Sequence, residues 1–495
     1  MMRGRVATGG ASDAFELRPV IHVIGLFVTA LGVIMLLPAS VDWIAGHPDW
    51  QVFATASAVT VFCGAAMALA TAGPIQSLSI RQGFLFTTGV WLASALAAAV
   101  PLMFAEFNLD FTNAFFEAMS GLTTTGATVV VGLDRAPPGI LLWRSILQWV
   151  GGIGFIVVGL AILPFLQVGG MQLFRLESSE KSEKAVPQAK RFAFLLLSIY
   201  IGLSVACMIA LLMAGMTAVE AVAQAMSTVA TGGFATSDAS IAHFDSPAIE
   251  AITSVFMLSG SLPFLLYLRF VQGRPDLLVK DAQVRGYLRF LFIVVISLSG
   301  WMIVVEHMPP LAALRLVSFQ VISMATTTAF VATDYTTWGN APVVVLFLLT
   351  LVGGCSGSTT GALKVFRLDI LYLALRNHIH RLIYPHGTFV ASYNGRHVTD
   401  DVFTGVLLFI GLYIITIAVV GVLLAVTGLD PVTALSGAAG AVSNSGLGLG
   451  AVVGPTGSFA TVPAAAKWIL AFAMLLGRLE LFTVLALFSR TFWKQ

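Results

Sequence analysis

Charge is scarce in this 495-residue chain. Asp, Glu, Lys and Arg together make up 10% of it, where a soluble domain carries about 25%. So little charge excludes a water-facing globular surface. With 58% hydrophobic residues and a mean hydropathy of +0.92, the chain reads as a polytopic membrane protein whose solvent is the bilayer. Cysteine is nearly absent: Cys63, Cys207 and Cys355 all sit in hydrophobic stretches, with no CxxC, and read as small apolar packing residues. No HExxH, no paired intramembrane acids and no nucleophile–base pair are present, which counts against a membrane enzyme. No phosphate-binding loop is present either. Gly448 and Gly450 are followed by Val453 where GxGxxG needs its last glycine, and no Gly-Lys-Ser/Thr follows in the Gly354–Lys364 stretch. The net charge of +2 gives no reason to expect nucleic acid.

What the chain does have is a repeated pattern. A polar leader with Arg3, Arg5 and Arg18 does not look like a cleaved signal peptide, because the hydrophobic run after it is long enough to span. Residues 1–80 are read as this leader plus an appended pair of helices. Four units follow, at 81–170, 188–275, 285–385 and 400–495, each a long apolar run, a short apolar piece ending in Thr, Ser or Gly, a polar link and a second long run. The short pieces lie near 111–128, 218–235, 312–330 and 431–448. A spanning helix needs about 20 apolar residues, so they are too short to cross a bilayer. Aligning Gly126, Gly232, Ala329 and Gly446 spaces them 106, 97 and 117 residues apart, as internal duplication would. The expected fold is all-α, with four helix–pore-loop–helix repeats around a pseudo-fourfold axis and ten spans.

Charge sets the orientation. The links at 168–191, 271–286 and 376–400 carry Arg175, Lys181, Lys184, Lys190, Arg191, Arg274, Lys280, Arg285, Arg376, Arg381 and Arg396, and the end of the chain carries Arg490 and Lys494. The links that hold the short pieces instead carry Asp110, Glu117, Asp134, Asp238, Asp245, Asp334 and Asp430. By the positive-inside rule the basic links and both termini are cytoplasmic, and the short pieces enter from outside. His378, His380, His386 and His397 fall in one basic link. They allow a metal site, but a basic segment that meets lipid heads or a partner is the better reading.

Irregular backbone at membrane depth persists only where protein or a water-filled cavity shields it. Four such pieces can shield one another around a pore. Each half-helix aims its partly negative C-terminal end at the centre, and the Thr/Gly stretch after it offers carbonyl and hydroxyl oxygens able to replace the hydration shell of K+. A second break, Gly353–Gly361, interrupts a span with glycine and hydroxyl residues and reads as a gate. Arg478 is a charge inside a span and therefore a functional candidate. It is expected to face the pore below the filter as a barrier or a latch for that loop. Glu480 reads as the only obvious deep carboxylate.

These stretches, together with Leu142–Gly154, Gly353–Lys364 and Leu476–Thr483, resemble the TrkH/KtrB/HKT superfamily of potassium transporters over nearly the whole chain, and its TrkH branch by the leading helix pair. The resemblance implies a bacterial inner-membrane K+ uptake protein, with K+ as the transported ion. It implies a homodimer with one pore per subunit, gated by a cytoplasmic TrkA-type ring that binds NAD or ATP, so that nucleotide acts only through a partner. It implies filter roles for Thr124, Thr125 and Gly126; Ala230, Thr231 and Gly232; Thr327, Thr328 and Ala329; and Asn444, Ser445 and Gly446. The intramembrane gate is then Gly353, Gly354, Cys355, Ser356, Gly357, Ser358, Thr359, Thr360 and Gly361, within 353–362, plus Arg478. Where the family usually has glycine in the third filter, this chain has Ala329. Either that strand takes an ordinary backbone conformation or selectivity is relaxed. Passive K+ conduction is the main reading, and symport with H+ or Na+ is the alternative.

Overall fold

The structure is a computed structural model that describes residues 16–73, 79–161, 185–387, 391–394, 396–450, 452–455 and 457–493. Of the basic residues used above, Arg3, Arg5, Arg175, Lys181, Lys184 and Lys494 lie outside the described residues.

Apolar runs of this length satisfy their own backbone only as helices, and among the described residues the fold is all-α apart from a hairpin of two-residue strands, Ser392–Tyr393 with Arg396–His397. The leading pair comprises Arg18–Ile34 continued by Leu36–Ala45, and Trp50–Ala70. Glycine decides how closely these two arms pack. A side chain at Gly64 would meet the backbone N of Thr29 at 2.6 Å, and one at Gly25 would meet Ala68 N at 2.7 Å. The Ser57 hydroxyl donates to Gly32 O across the same contact at 2.7 Å. Close backbone approach of this kind is how helices associate where no hydrophobic drive separates protein from solvent. The pair is tied to the first repeat at one end, where Gly139 N donates to Asp42 Oδ1 at 2.6 Å and Glu106 N donates to Asp49 Oδ2 at 2.9 Å.

Each repeat has a leading helix (Ile80–Phe104, Ala185–Met213, Ala282–Val304, Asp400–Val426) and a short pore helix (Phe111–Leu122, Ala218–Val229, Pro310–Ala325, Pro431–Val442). The pore helices are started by local chemistry. Thr217 and Glu220 form a capping box, proline opens the third and fourth, and Asp430 accepts from the N–H groups of Val432 and Thr433. The Thr433 hydroxyl and N–H hold the Asp430 carboxyl below its ordinary range.

The trailing segments depart from the sequence expectation. Only the first, Pro138–Ala161, is one helix. The second bends by 95° between Pro247–Ser261 and Phe264–Val271, and the fourth by 107° between Ala464–Arg478 and Phe482–Phe488, where the sequence pattern predicts one long run each. The third is an 11-residue helix, Asn340–Thr350, then the Gly353–Gly361 break, then Val365–Ile383. Among the described residues, seven helices are long and apolar enough to cross a membrane, or nine if each bent pair is one span. The expected tenth is this interrupted third segment. Pro263 explains the first bend, because it has no N–H and clashes with the preceding turn. At the second, Glu480 and Leu481 take φ of +61° and +36°, a region that bulky side chains avoid.

Candidate functional site

The four pore helices end in one backbone turn, built four times. The N–H groups of Thr125, Gly232, Thr328 and Ser445 bond to the carbonyls of Ser120, Ser227, Ser323 and Gly440 at 2.8–3.0 Å. The residue before each, Thr124, Thr231, Thr327 and Asn444, has φ between +51° and +55°. The residue after each, Gly126, Gly233, Ala329 and Gly446, has φ of +86°, +86°, +60° and +67°. A left-handed residue just past a helix end stops the helix and turns the chain.

This shared geometry corrects the sequence alignment in one repeat. The counterpart of Gly126 is Gly233, not Gly232, so the second strand is Thr231, Gly232 and Gly233. Ala230 corresponds to the helix end, as Thr123 does. The ordinary-conformation alternative for Ala329 is overturned, since that residue keeps the left-handed turn at φ +60°.

The four strands meet. A side chain at Gly126 would collide with Gly232 O, one at Gly233 with Thr328 O, and one at Gly446 with Thr125 O. These contacts run from first to second, second to third and fourth to first repeat, as in a ring. Gly126, Gly233, Ala329 and Gly446 line a single cavity of about 190 Å3, walled further by Arg144, Asp238, Gly454, Pro455 and residues 457–459.

A set of buried polar side chains holds the ring, and sequence reading missed their roles. Glu117 is fully buried on the first pore helix. Its carboxylate accepts from Arg144 Nε at 2.8 Å, Val129 N at 2.8 Å and the Thr128 hydroxyl at 2.9 Å. Arg144 also donates to Ala235 O at 3.1 Å and lies 4.1 Å over the Phe234 ring, so one arginine secures the first strand and the second. Gln148 donates to Gly232 O at 2.6 Å and accepts from the Ser227 hydroxyl and Phe234 N. That engages one of the predicted filter carbonyls inside the protein. Asn444 reaches across to the Thr125 hydroxyl at 3.1 Å and to Met474 O at 2.8 Å. The available signal was Arg144 inside a hydrophobic run, because an unpaired charge there is expensive. Removing it leaves Glu117 charged, buried and without its cation, which typically costs about 3–5 kcal/mol. Arg144→Ala is therefore expected to lower the thermal unfolding midpoint of the detergent-solubilised protein sharply, and Arg144→Lys to lower it less. An unchanged midpoint for Arg144→Ala would contradict this.

The Gly353–Gly361 loop packs directly against the ring. Cys355 N and Thr359 N donate to Ser261 O and Gly260 O at 2.9 and 3.1 Å, and Phe264 N donates to Gly357 O at 3.0 Å. The backbone groups freed by the proline bend, two carbonyls and one N–H, are thus taken up by the loop. The loop also reaches the strands themselves. Thr231 donates to the Thr359 hydroxyl at 3.0 Å, Gly361 N donates to the Thr327 hydroxyl at 2.9 Å, and Ala362 N donates to Ser443 O at 2.8 Å. Gly361 is required here, because a side chain would strike Ser443 O.

Arg478 closes the arrangement. It is fully buried and donates to Thr359 O at 2.9 Å and to Gly151 O at 3.2 Å, with its guanidinium 4.2 Å over the Phe155 ring. It thus joins the loop to the first repeat. Lys364 folds back on the loop, donating to Thr360 O, to the Thr360 hydroxyl at 2.9 Å and to the Ser358 hydroxyl at 3.4 Å. Glu480 pairs with Arg367, not with its near neighbour in sequence. It is also not the only deep carboxylate: Glu117 and Glu250 are buried too, paired with Arg144 and Arg315. Among the described residues, one group of three potential metal ligands comes together, His47, Asp49 and Glu106. The histidines at 378–397 form no such group.

A family model described as TrkH, cation transport protein, matches residues 49–494. The chain is 43% identical over 478 residues to the Trk system potassium uptake protein TrkI of Halomonas elongata, covering 96% of this chain and 97% of that one. It is 36% identical over 484 residues to the TrkH protein of Escherichia coli, covering 97% and 99%. The crystal structure of the potassium transporter TrkH from Vibrio parahaemolyticus superposes with a TM-score of 0.90 at 35% identity, over 97% of this chain and all of that one.

Proposed function

The chain belongs to the TrkH family of cation transport proteins, and from that premise we propose that it is a K+ uptake protein of the bacterial inner membrane, conducting through the four-strand ring and gated by the Gly353–Gly361 loop. The observation that carries this reading is the fourfold turn. Four helix C-termini, each partly negative, end in the same backbone geometry around one cavity. Such an arrangement concentrates oxygen dipoles where a dehydrated cation needs them. Filter roles go to Thr124–Gly126, Thr231–Gly233, Thr327–Ala329 and Asn444–Gly446, with the second set in the register the backbone gives.

Arg478 acts as the latch. It holds the loop to the first repeat and adds positive charge below the ring, where a passing cation would meet it. Control by a cytoplasmic TrkA-type nucleotide-binding ring, a homodimeric assembly and cytoplasmic termini complete the proposal. They rest on the family resemblance and on the distribution of Lys and Arg. Passive conduction is favoured over symport because the buried glutamates are each held by an arginine, whereas a proton-coupled carrier needs a carboxylate free to change partners.

Rubidium and sodium flux into proteoliposomes tests this. Rb+ is expected to enter at least about tenfold faster than Na+, a difference of about 1.4 kcal/mol, and to do so with the proton gradient collapsed. Equal Na+ entry would sink the filter assignment, and strict dependence on a proton gradient would establish symport.

A further inference from the structure

A second cavity, of about 390 Å3, lies between the leading helix pair and the first two repeats. Among the described residues no charged side chain lines it, and Ser94 and Trp91 supply the only polar side-chain atoms in its wall. Its size and apolar lining are those of a ligand pocket. Phe27 and Phe194 form its rim and are 50% and 67% exposed. Both belong to membrane-crossing helices that expose further large apolar residues, Leu26 and Val33 on one and Ile201 and Val205 on the other. The mouth is therefore continuous with the surface that faces hydrocarbon, and the medium outside it is lipid chains. At its inner end the pocket touches Leu122 and Gly151. Leu122 ends the first pore helix. Gly151 lies against the Leu122 carbonyl, and its own carbonyl accepts from Arg478.

We infer that this pocket is a binding site for a phospholipid acyl chain, which enters from the bilayer and lies against Leu122 and Gly151. An apolar cavity left empty forfeits the dispersion contacts of its lining, and a chain from the adjoining leaflet restores them without desolvating any polar group. The site differs in place and chemistry from the ion path and does not depend on which ion that path carries.

Trp91 reports occupancy, because it lines the pocket yet is only 7% exposed. The full-length protein is reconstituted in phosphatidylethanolamine–phosphatidylglycerol vesicles whose acyl chains are either ordinary or brominated. The emission of Trp91 is isolated by subtracting the Trp91→Phe variant. Brominated chains are expected to remove most of that emission. Gly154→Leu is expected to restore it, because a side chain there makes ordinary contact with the Trp91 ring at 3.4 Å and fills the pocket. Ala193→Leu, from the opposite wall, serves the same purpose if the first variant folds poorly. Trp91 emission that is the same in both lipids overturns the inference, as does quenching that survives both filling variants. Protection of Trp91 that disappears when the protein is diluted in lipid assigns the pocket to a second copy of the chain and overturns it as well.

Discussion

Arg478→Ala is expected to raise Rb+ entry through the resting protein about a hundredfold without any regulatory partner. Arg478 contributes two charge-assisted hydrogen bonds, to Thr359 O on the loop and Gly151 O on the first repeat. Hydrogen bonds to charged groups are worth about 1.5–3 kcal/mol each. Losing both at the low end removes about 3 kcal/mol from the closed form, which shifts a two-state equilibrium about a hundredfold. The loop's bonds to the second, third and fourth repeats stay in place, so it is loosened on one side and not torn out. Selectivity should therefore survive, and a Rb+ to Na+ ratio that holds while the rate rises separates unlatching from misfolding. Arg478→Lys should fall between, because one ammonium on a flexible stem cannot hold two carbonyls as a planar guanidinium does. A resting flux in Arg478→Ala equal to that of the unaltered protein would remove Arg478 from the gate.

The parts of this arrangement that sequence revealed are those whose chemistry is local. A short apolar run ending in Thr, Ser or Gly betrays a helix that stops early, and short helices end at Leu122, Val229, Ala325 and Val442. The one register error has a local cause too. Gly232 and Gly233 are adjacent, either suits a positive φ, and only the bond from Gly232 N to Ser227 O shows which is which. The bend after Ser261 was legible in Pro263. The bend after Arg478 was not, because no proline marks it, Gly477 lies inside the helix, and the left-handed residues are Glu480 and Leu481. Its left-handed Glu480 is held by Arg367, 113 residues away in sequence. The Glu117–Arg144 and Gln148–Gly232 contacts were hidden for the same reason. They join residues 27 and 84 positions apart, and no periodicity encodes such pairs.

Gly233→Ala is expected to lower the Rb+ to Na+ ratio at least about tenfold, a loss of about 1.4 kcal/mol in discrimination, while Ala329→Gly changes it far less. The two residues occupy equivalent places, both with positive φ, and each substitution exchanges the same methyl group. What differs is the neighbour. A side chain at Gly233 would collide with Thr328 O, so the third strand or the second must move. Alanine in the left-handed region adds a further cost of about 1–2 kcal/mol. At Ala329 the methyl is already present, so the facing part of the fourth strand must stand further off than at the other three junctions, and the ring is already adapted to it. Removing that methyl relieves backbone cost without moving a neighbour, so it should act mainly on stability. A Gly233→Ala ratio equal to that of the unaltered protein would show that the close approach of strands two and three has no part in selecting the ion. An Ala329→Gly ratio that rises as steeply as the Gly233→Ala ratio falls would show instead that the alanine relaxes selectivity, and that this chain discriminates K+ less sharply than relatives with glycine in all four strands.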